Sequence, residues 1–184
     1  GFYTIGSSGH EGMAAIAAAL RPTDMALLHY RDAAFQIQRA EQVPGQSVAW
    51  DMLLSFACSS EDPISGGRHK VLGSAALNIP PQTSTIASHL PKAVGIAYSV
   101  GLARRHPPEF RRLPDDSIVM CSFGDASANH STAQGAFNTA QWTAFQSVPL
   151  PLLFVCEDNG IGIPTRTPKG WIGATFANRA GSRS

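Results

Sequence analysis

Two apolar segments in the second half of the chain each run directly into oxygen-bearing side chains. Residues 117–123 precede Asp125, and residues 150–156 precede Asn159. Short apolar runs of this length, bounded by turn residues, predict buried strands of a parallel sheet. Ligands of such sheets bind just beyond the carboxyl ends of the strands. We therefore expect Asp125 and Asn159 at the same edge of one sheet.

The residue types at this edge favour a cation and an anion together. A carboxylate from Asp125 and an amide oxygen from Asn159 suit Mg²⁺, which usually keeps phosphate oxygens as further ligands. The small residues Gly124 and Ala126 allow close approach of the backbone to a diphosphate. A helix expected to begin near Ser127 would direct its N–H groups at the same anion. These residues predict a divalent metal that holds a diphosphate.

Gly124-Asp125-Ala126 and Asp158-Asn159 resemble the thiamine-diphosphate fingerprint, Gly-Asp-Gly followed one crossover later by Asn-Asn. They are most similar to the α-subunit of the decarboxylase component of pyruvate and branched-chain 2-oxoacid dehydrogenases. The resemblance implies Mg²⁺ ligation by Asp125, Asn159 and the backbone carbonyl of Ile161. The sequence departs from the pattern at Ala126, at Asp158 and in a longer Asp-to-Asn separation.

Further segments carry the same resemblance. His29-Tyr30-Arg31 resembles the family's Tyr-Arg pair at the cofactor diphosphate, where Arg supplies forked, permanently charged donors. Residues 83–95 resemble the segment that supports the aminopyrimidine ring, and residues 2–3 and 9–12 resemble the opening segment. The cofactor-binding residues implied by the resemblance are His29, Tyr30, Arg31, Ser84, Ile86, Gly124, Asp125, Ala126, Ser127, Asn159, Ile161 and Ile163.

Each site residue also has an ordinary alternative. Asp125 could be a helix N-cap, and Asn159-Gly160 an ordinary turn. Arg31 could pair with a nearby acidic residue on a solvated surface. His69, in a glycine-rich stretch, is the candidate catalytic residue, but a loop histidine facing water is equally compatible with the sequence. His10, His89, His106 and His130 are expected to be structural or solvent-facing.

Strands alternating with helices predict an α/β fold with a parallel sheet covered by helices on both faces, the thiamine-diphosphate-binding fold. The predicted strands are 25–30, 117–123 and 150–156, and the predicted helices are 12–20, 33–42, 48–58, 90–104 and 129–145. Residues 60–85 form a long connection, which is usually functional. Residues 1–172 are expected to form an incomplete, C-terminally truncated cofactor-binding domain, and 173–184 a disordered polar tail.

The length, net charge and cysteine content of the chain limit the classes of function that it can have. The 184 residues are enough for one domain with a sizeable core. A net charge of +1 favours neither nucleic-acid nor membrane binding, and 43% hydrophobic content suits a globular interior. The three cysteines lack metal-site spacing, and two of them lie in predicted core strands, which predicts buried thiols; a reducing cytoplasm fits this cysteine usage best.

The resemblance implies a thiamine-diphosphate enzyme that decarboxylates a 2-oxoacid and passes the acyl group to lipoamide. It implies three partners: a β-subunit or fused β-half, a lipoyl acyltransferase, and the 2-oxoacid substrate. Two alternatives stay open. One is a truncated, non-catalytic remnant or assembly module, and the other is an acetoin dehydrogenase α-subunit, whose fingerprint is the same.

Overall fold

The computed structural model describes residues 6–83 and 85–177. Within these ranges, the chain forms six α-helices, five strands and two short 3₁₀-helices, Pro108–Phe110 and Asp125–Asn129. The strands are β1 (Met25–Leu27), β2 (Val119–Gly124), β3 (Leu152–Glu157), β4 (Ile161–Gly162) and β5 (Thr165–Arg166). The α-helices are α1 (Met13–Ala19), α2 (Ala33–Glu41), α3 (Val48–Phe56), α4 (Leu90–Ala103), α5 (Ser131–Phe145) and α6 (Trp171–Ala177).

The main sheet has the order β1-β2-β3, and both pairs are parallel. Alternate residues of the central strand β2 enter two different cores. Val119, Cys121 and Phe123 pack into the core that includes α4 and α5, whereas Met120 packs into the core that includes α1, α2 and α3. The prediction of a parallel sheet covered by helices on both faces is therefore confirmed.

The strand β1 is shorter than predicted because side chains take over its hydrogen bonding. The predicted strand ran to residue 30, but β1 ends at Leu27. The backbone N–H of His29 donates to the hydroxyl of Ser122 at 2.8 Å and to the carboxylate of Asp32 at 3.2 Å. The N–H of His29 therefore bonds to side chains instead of a neighbouring strand, and the chain turns away from the sheet at this edge.

An aromatic cluster joins the last helix to the sheet. The ring of Phe137, on α5, lies 5.2 Å from Phe154 and 5.1 Å from Phe176, both edge to face. Phe176 belongs to α6, so the predicted tail boundary at residue 173 falls inside a packed helix. The remainder of that predicted tail, residues 178–184, lies outside the described residues.

The long connection between α3 and α4 is packed although it forms almost no regular structure. Leu72, Leu77 and Ile79 are buried in the core beside α1 and α2, and the N–H of Ala26 donates to the carbonyl of Asn78 at 3.0 Å. The prediction of buried thiols is wrong for Cys58, which is exposed in this connection, whereas Cys121 is buried and Cys156 half-buried. No helix in the described ranges has the length and apolar character needed to cross a membrane.

Candidate cofactor and metal site

The carboxyl ends of the main strands open onto a cavity of about 200 Å³. Its wall combines five segments that are distant in sequence: residue 10, the chain after β1, residue 86, the segment that follows β2 and the segment that follows β3. The lining residues are His10, His29, Tyr30, Arg31, Ile86, Gly124, Asp125, Ala126, Ser127, Asn159, Ile161, Gly162 and Ile163. Every predicted cofactor-binding residue that the structure describes lies in this wall, and Ser84 lies outside the described residues.

Asp125 sits where β2 ends, and its side chain is almost fully enclosed, at 1% exposure. Its Oδ2 accepts a hydrogen bond from the hydroxyl of Thr167, which follows β5. The α-helix predicted near Ser127 begins only at Ser131, because Asp125–Asn129 forms a 3₁₀-helix and His130 caps α5. The anion-binding helix terminus expected at Ser127 is thus replaced by a tighter turn.

The turn after β3 separates the roles of its two polar residues. Asn159 Oδ1 accepts the N–H of Ile161 at 3.1 Å, and Asp158 Oδ1 accepts the N–H of Gly160 at 3.2 Å. Only Asn159 lines the cavity; Asp158 lines a neighbouring depression on the other side of His10. Asp158 and Asn159 thus face different hollows of the surface, although they are neighbours in the chain.

A two-residue hairpin carries the backbone of Ile161 and Ile163 to the cavity. The strands β4 and β5 pair antiparallel, with Gly162 opposite Thr165. Ile163 adopts a φ of 55°, a left-handed conformation that is unusual for a β-branched residue, and its side chain is 73% exposed. A Cβ at Gly162 would lie only 2.7 Å from the Cβ of Ala126. The methyl of Ala126 therefore fits here because position 162 lacks a side chain.

The chain after β1 supplies the opposite wall. The rings of His29 and Tyr30 lie 4.0 Å apart, and the guanidinium of Arg31 lies 5.2 Å from the Tyr30 ring centroid. Arg31 also donates to the carbonyl of Gly6 at 2.9 Å. Among the lining residues, Arg31 alone is an arginine or lysine, so it is the permanent positive charge beside the cavity.

Beneath this wall lies a buried polar cluster that sequence reasoning missed. Glu157, the last residue of β3, pairs with His10 through Oε2, and its Oε1 lies 3.4 Å from His29 Nδ1. Asp32 accepts the hydroxyl of Ser122 and completes the cluster. Ligand-type atoms of His29, Asp32 and Glu157 lie within 4.8 Å of one another, as a second group apart from Asp125 and Asn159.

Burial controls the protonation of this cluster. Desolvation is the largest cause and repulsion by the neighbouring Glu157 carboxylate the second, and together they raise the pKa of Asp32 to about 8. Asp32 therefore holds a proton at neutral pH. Desolvation lowers the pKa of His29 to about 4, so its imidazole is neutral. A protonated Asp32 and a neutral His29 remove two charges from the buried cluster, which reduces the cost of burying it.

The raised pKa of Asp32 and the lowered pKa of His29 have opposite effects on the free energy of unfolding over part of the pH range. Between about pH 4 and 6.5, the unfolded state has a protonated His29 and an ionised Asp32. The folded state has a neutral His29 and a protonated Asp32, so both states bind the same number of protons at these two residues. Above pH 6.5 only the folded state keeps a proton, on Asp32. The contribution of Asp32 to the free energy of unfolding therefore falls as the pH rises from about 6.5 to about 8, by roughly 1 kcal/mol per pH unit.

Known proteins are similar in sequence to this chain along most of its length. The sequence model of the family described as "Dehydrogenase E1 component" matches residues 1–183. The chain belongs to the dehydrogenase E1 component family. This E1 chain is 28% identical over 177 residues to the mitochondrial 2-oxoisovalerate dehydrogenase subunit alpha of Caenorhabditis elegans, covering 94% of this chain and 36% of that protein.

The mouse and human proteins of the same name give similar results for the E1 chain. Identity is 28% with the Mus musculus protein and 26% with the Homo sapiens protein, each over 165 residues, which are 89% of this chain and 32% of each relative. The chain thus spans about a third of the length of the relatives it matches. The family resemblance based on the sequence motifs is confirmed.

Two histidines of the E1 chain differ in their position relative to the cavity. The candidate catalytic residue His69 is exposed on the long connection, where its N–H donates to Ser65, and it does not line the cavity. His10 was expected to be structural or solvent-facing, but it is buried and forms part of the cavity wall. The motif Gly9-His10-Glu11-Gly12 was the available signal, because it already resembled the family's opening segment.

Proposed function

We propose that this E1 chain binds Mg²⁺-thiamine diphosphate and forms the diphosphate end of a 2-oxoacid dehydrogenase active site. The observation that carries the proposal is the convergence of Tyr30 and Arg31, after β1, with Asp125 and Asn159, after β2 and β3, on one cavity. Oxygen ligands and a guanidinium facing one small space suit a cation together with phosphate oxygens.

The residues present fit such a group. Asp125 is enclosed, and one of its carboxylate oxygens receives no hydrogen bond from the described residues. A Cβ at Gly124 would lie 3.4 Å from His29 Nε2 and 3.9 Å from Ser127 Oγ, so the missing side chain leaves a gap between polar groups. Close approach of an anion to the backbone requires such a gap.

In this proposal each residue has a defined task. Asp125, Asn159 and the carbonyl of Ile161 hold Mg²⁺, and Arg31 and Tyr30 bind the diphosphate from the opposite side. When bound, thiamine diphosphate supplies the nucleophilic carbon and the electron sink needed to release CO₂ from a 2-oxoacid. The side chains of Ile86 and Ile163 offer apolar surface beside the cofactor site.

The names of the relatives support the finer parts of the proposal. They are called α-subunits of 2-oxoisovalerate dehydrogenase, which supports a β-subunit or a fused β-half as partner and a branched-chain 2-oxoacid as the first substrate to test. We propose transfer of the acyl group to lipoamide on an acyltransferase component. Acetoin in place of the 2-oxoacid discriminates the acetoin dehydrogenase alternative.

The test is calorimetric titration of the full chain with thiamine diphosphate, with and without Mg²⁺ and with and without its β partner. We expect Asp125→Ala to abolish Mg²⁺-dependent binding, because it removes the only charged ligand, and Asp158→Ala to have a much smaller effect. Equal losses in the two variants would overturn the ligand assignment. A folded wild-type chain that binds no cofactor with its partner present would favour the non-catalytic alternative.

A further inference from the structure

Thr167 connects the two halves of the proposed metal site. Its hydroxyl donates to Oδ2 of Asp125, which lies at the end of β2. Its backbone N–H donates to the carbonyl of Gly160 at 3.0 Å, in the turn that follows β3. One residue thus joins the turn that carries Asn159 to the carboxylate of Asp125.

The hydroxyl of Thr167 leaves one oxygen of Asp125 for another partner. Within residues 6–83 and 85–177, no hydrogen bond reaches Oδ1 of Asp125, although the side chain is only 1% exposed and lines the cavity. A carboxylate oxygen that reaches a cavity without a protein partner is available as a ligand for a hard cation. Since Oδ2 is already bonded, the orientation of the carboxylate is set with Oδ1 as the remaining acceptor.

We propose that Thr167 is a positioning residue for the metal site, which holds the Asp125 carboxylate so that Oδ1 ligates Mg²⁺. This inference rests on the proposed function. Groups that hydrogen-bond a metal ligand orient it, and their loss typically reduces metal affinity about 10–100-fold. Mg²⁺ demands near-ideal octahedral geometry, whereas Ca²⁺ accepts flexible coordination. A carboxylate that has lost its orientation should therefore bind Mg²⁺ less well relative to Ca²⁺.

The side chain and the backbone of Thr167 have separable roles. The bond to Gly160 uses the backbone N–H, so any residue other than proline retains it. Thr167→Val keeps the shape of the side chain and removes only the hydroxyl. The hairpin offers a matched control, Thr165→Val, because Thr165 is an exposed threonine two residues earlier.

The experiment measures the half-saturating concentrations of Mg²⁺ and of Ca²⁺ at saturating thiamine diphosphate, in the full chain with its partner, by calorimetry. For Thr167→Val we expect a rise of about 10–100-fold for Mg²⁺ and a smaller rise for Ca²⁺. Thr167→Ser should restore both values, and Thr165→Val should change neither. Thermal unfolding of each variant records the stability of the fold.

The outcomes separate this inference from the proposed function. If the wild-type chain shows no Mg²⁺-dependent binding, the proposed function fails and the inference fails with it. If the wild type binds but Thr167→Val retains both half-saturating values, only the positioning role is overturned. A parallel loss for both metals, accompanied by a lower unfolding temperature and no rescue by serine, would show a structural role and would also overturn it.

Discussion

The close approach of Gly162 to Ala126 places the β4–β5 hairpin against the 3₁₀-helix Asp125–Asn129. Adding one methyl group at position 162 tests this packing. A Cβ at position 162 would lie 2.7 Å from the Cβ of Ala126, whereas ordinary contact begins at 3.4 Å. Gly162→Ala must therefore move β4 away from the 3₁₀-helix by most of an ångström. Both groups would be methyls fixed to the backbone, which cannot rotate away as the end of a long side chain could.

The expected change in the free energy of unfolding on Gly162→Ala is the sum of two opposing effects. Overpacking of a well-packed contact costs about 1–3 kcal/mol. Replacing glycine by alanine at an unstrained φ returns about 0.4–1 kcal/mol through the unfolded state, and Gly162 is not among the glycines with positive φ. We expect Gly162→Ala to lower the free energy of unfolding by about 1–2 kcal/mol.

The assay is a double-mutant cycle measured by urea denaturation. Adding Ala126→Gly to Gly162→Ala removes the clash, so the two substitutions should couple by about 1–3 kcal/mol. Gly135→Ala is the control, because that glycine lies within α5 and a Cβ there would point into open space. A Gly162→Ala variant as stable as the wild type, or one that Ala126→Gly fails to rescue, would refute the packing argument.

Three further predictions concern protonation, strain and thiol reactivity. Between pH 6.5 and 8, the wild type should lose roughly 1 kcal/mol of unfolding free energy per pH unit relative to Asp32→Asn, measured by urea titrations at each pH; equal slopes would contradict the raised pKa of Asp32. Ile163→Gly should maintain or raise the unfolding temperature, because glycine tolerates a φ of 55°, yet weaken cofactor binding in calorimetry; a lower unfolding temperature would contradict the strain at this position. Cys58 should react quickly with a thiol reagent, whereas Cys121 should react only on unfolding, because burial raises its pKa and blocks access; rapid labelling of Cys121 would show that β2 is open.

The sequence predicted the elements that depend on hydrophobic periodicity and local turn chemistry. Helix α4 was predicted within one residue of its observed bounds, because its buried residues recur at helical spacing. The turns at Asp125 and Asn159 were also located, since each follows an apolar run that forms a strand. These features are encoded within short windows of the chain.

The parts that were missed depend on contacts between distant segments. Glu157 lies just beyond the predicted strand 150–156, and only the fold brings His10, 147 positions away, to its carboxylate. Thr167 was unremarked because its partner Asp125 is 42 positions away. The 3₁₀-helix at Asp125–Asn129 was not predicted, and an α-helix was expected to begin near Ser127, because periodicity does not distinguish the two helix types in so short a stretch.

The strand order also sets the order in which the cavity can assemble during folding. Strands β2 and β3 are joined by the single helix α5, whereas pairing of β1 with β2 brings Asp24 next to Ile118, 94 positions along the chain. Closing the longer loop costs about 1 kcal/mol more chain entropy. We expect pulse-labelling hydrogen exchange to protect β2 and β3 before β1, so that the half of the cavity with Asp125 and Asn159 forms first and the half with Arg31 docks onto it.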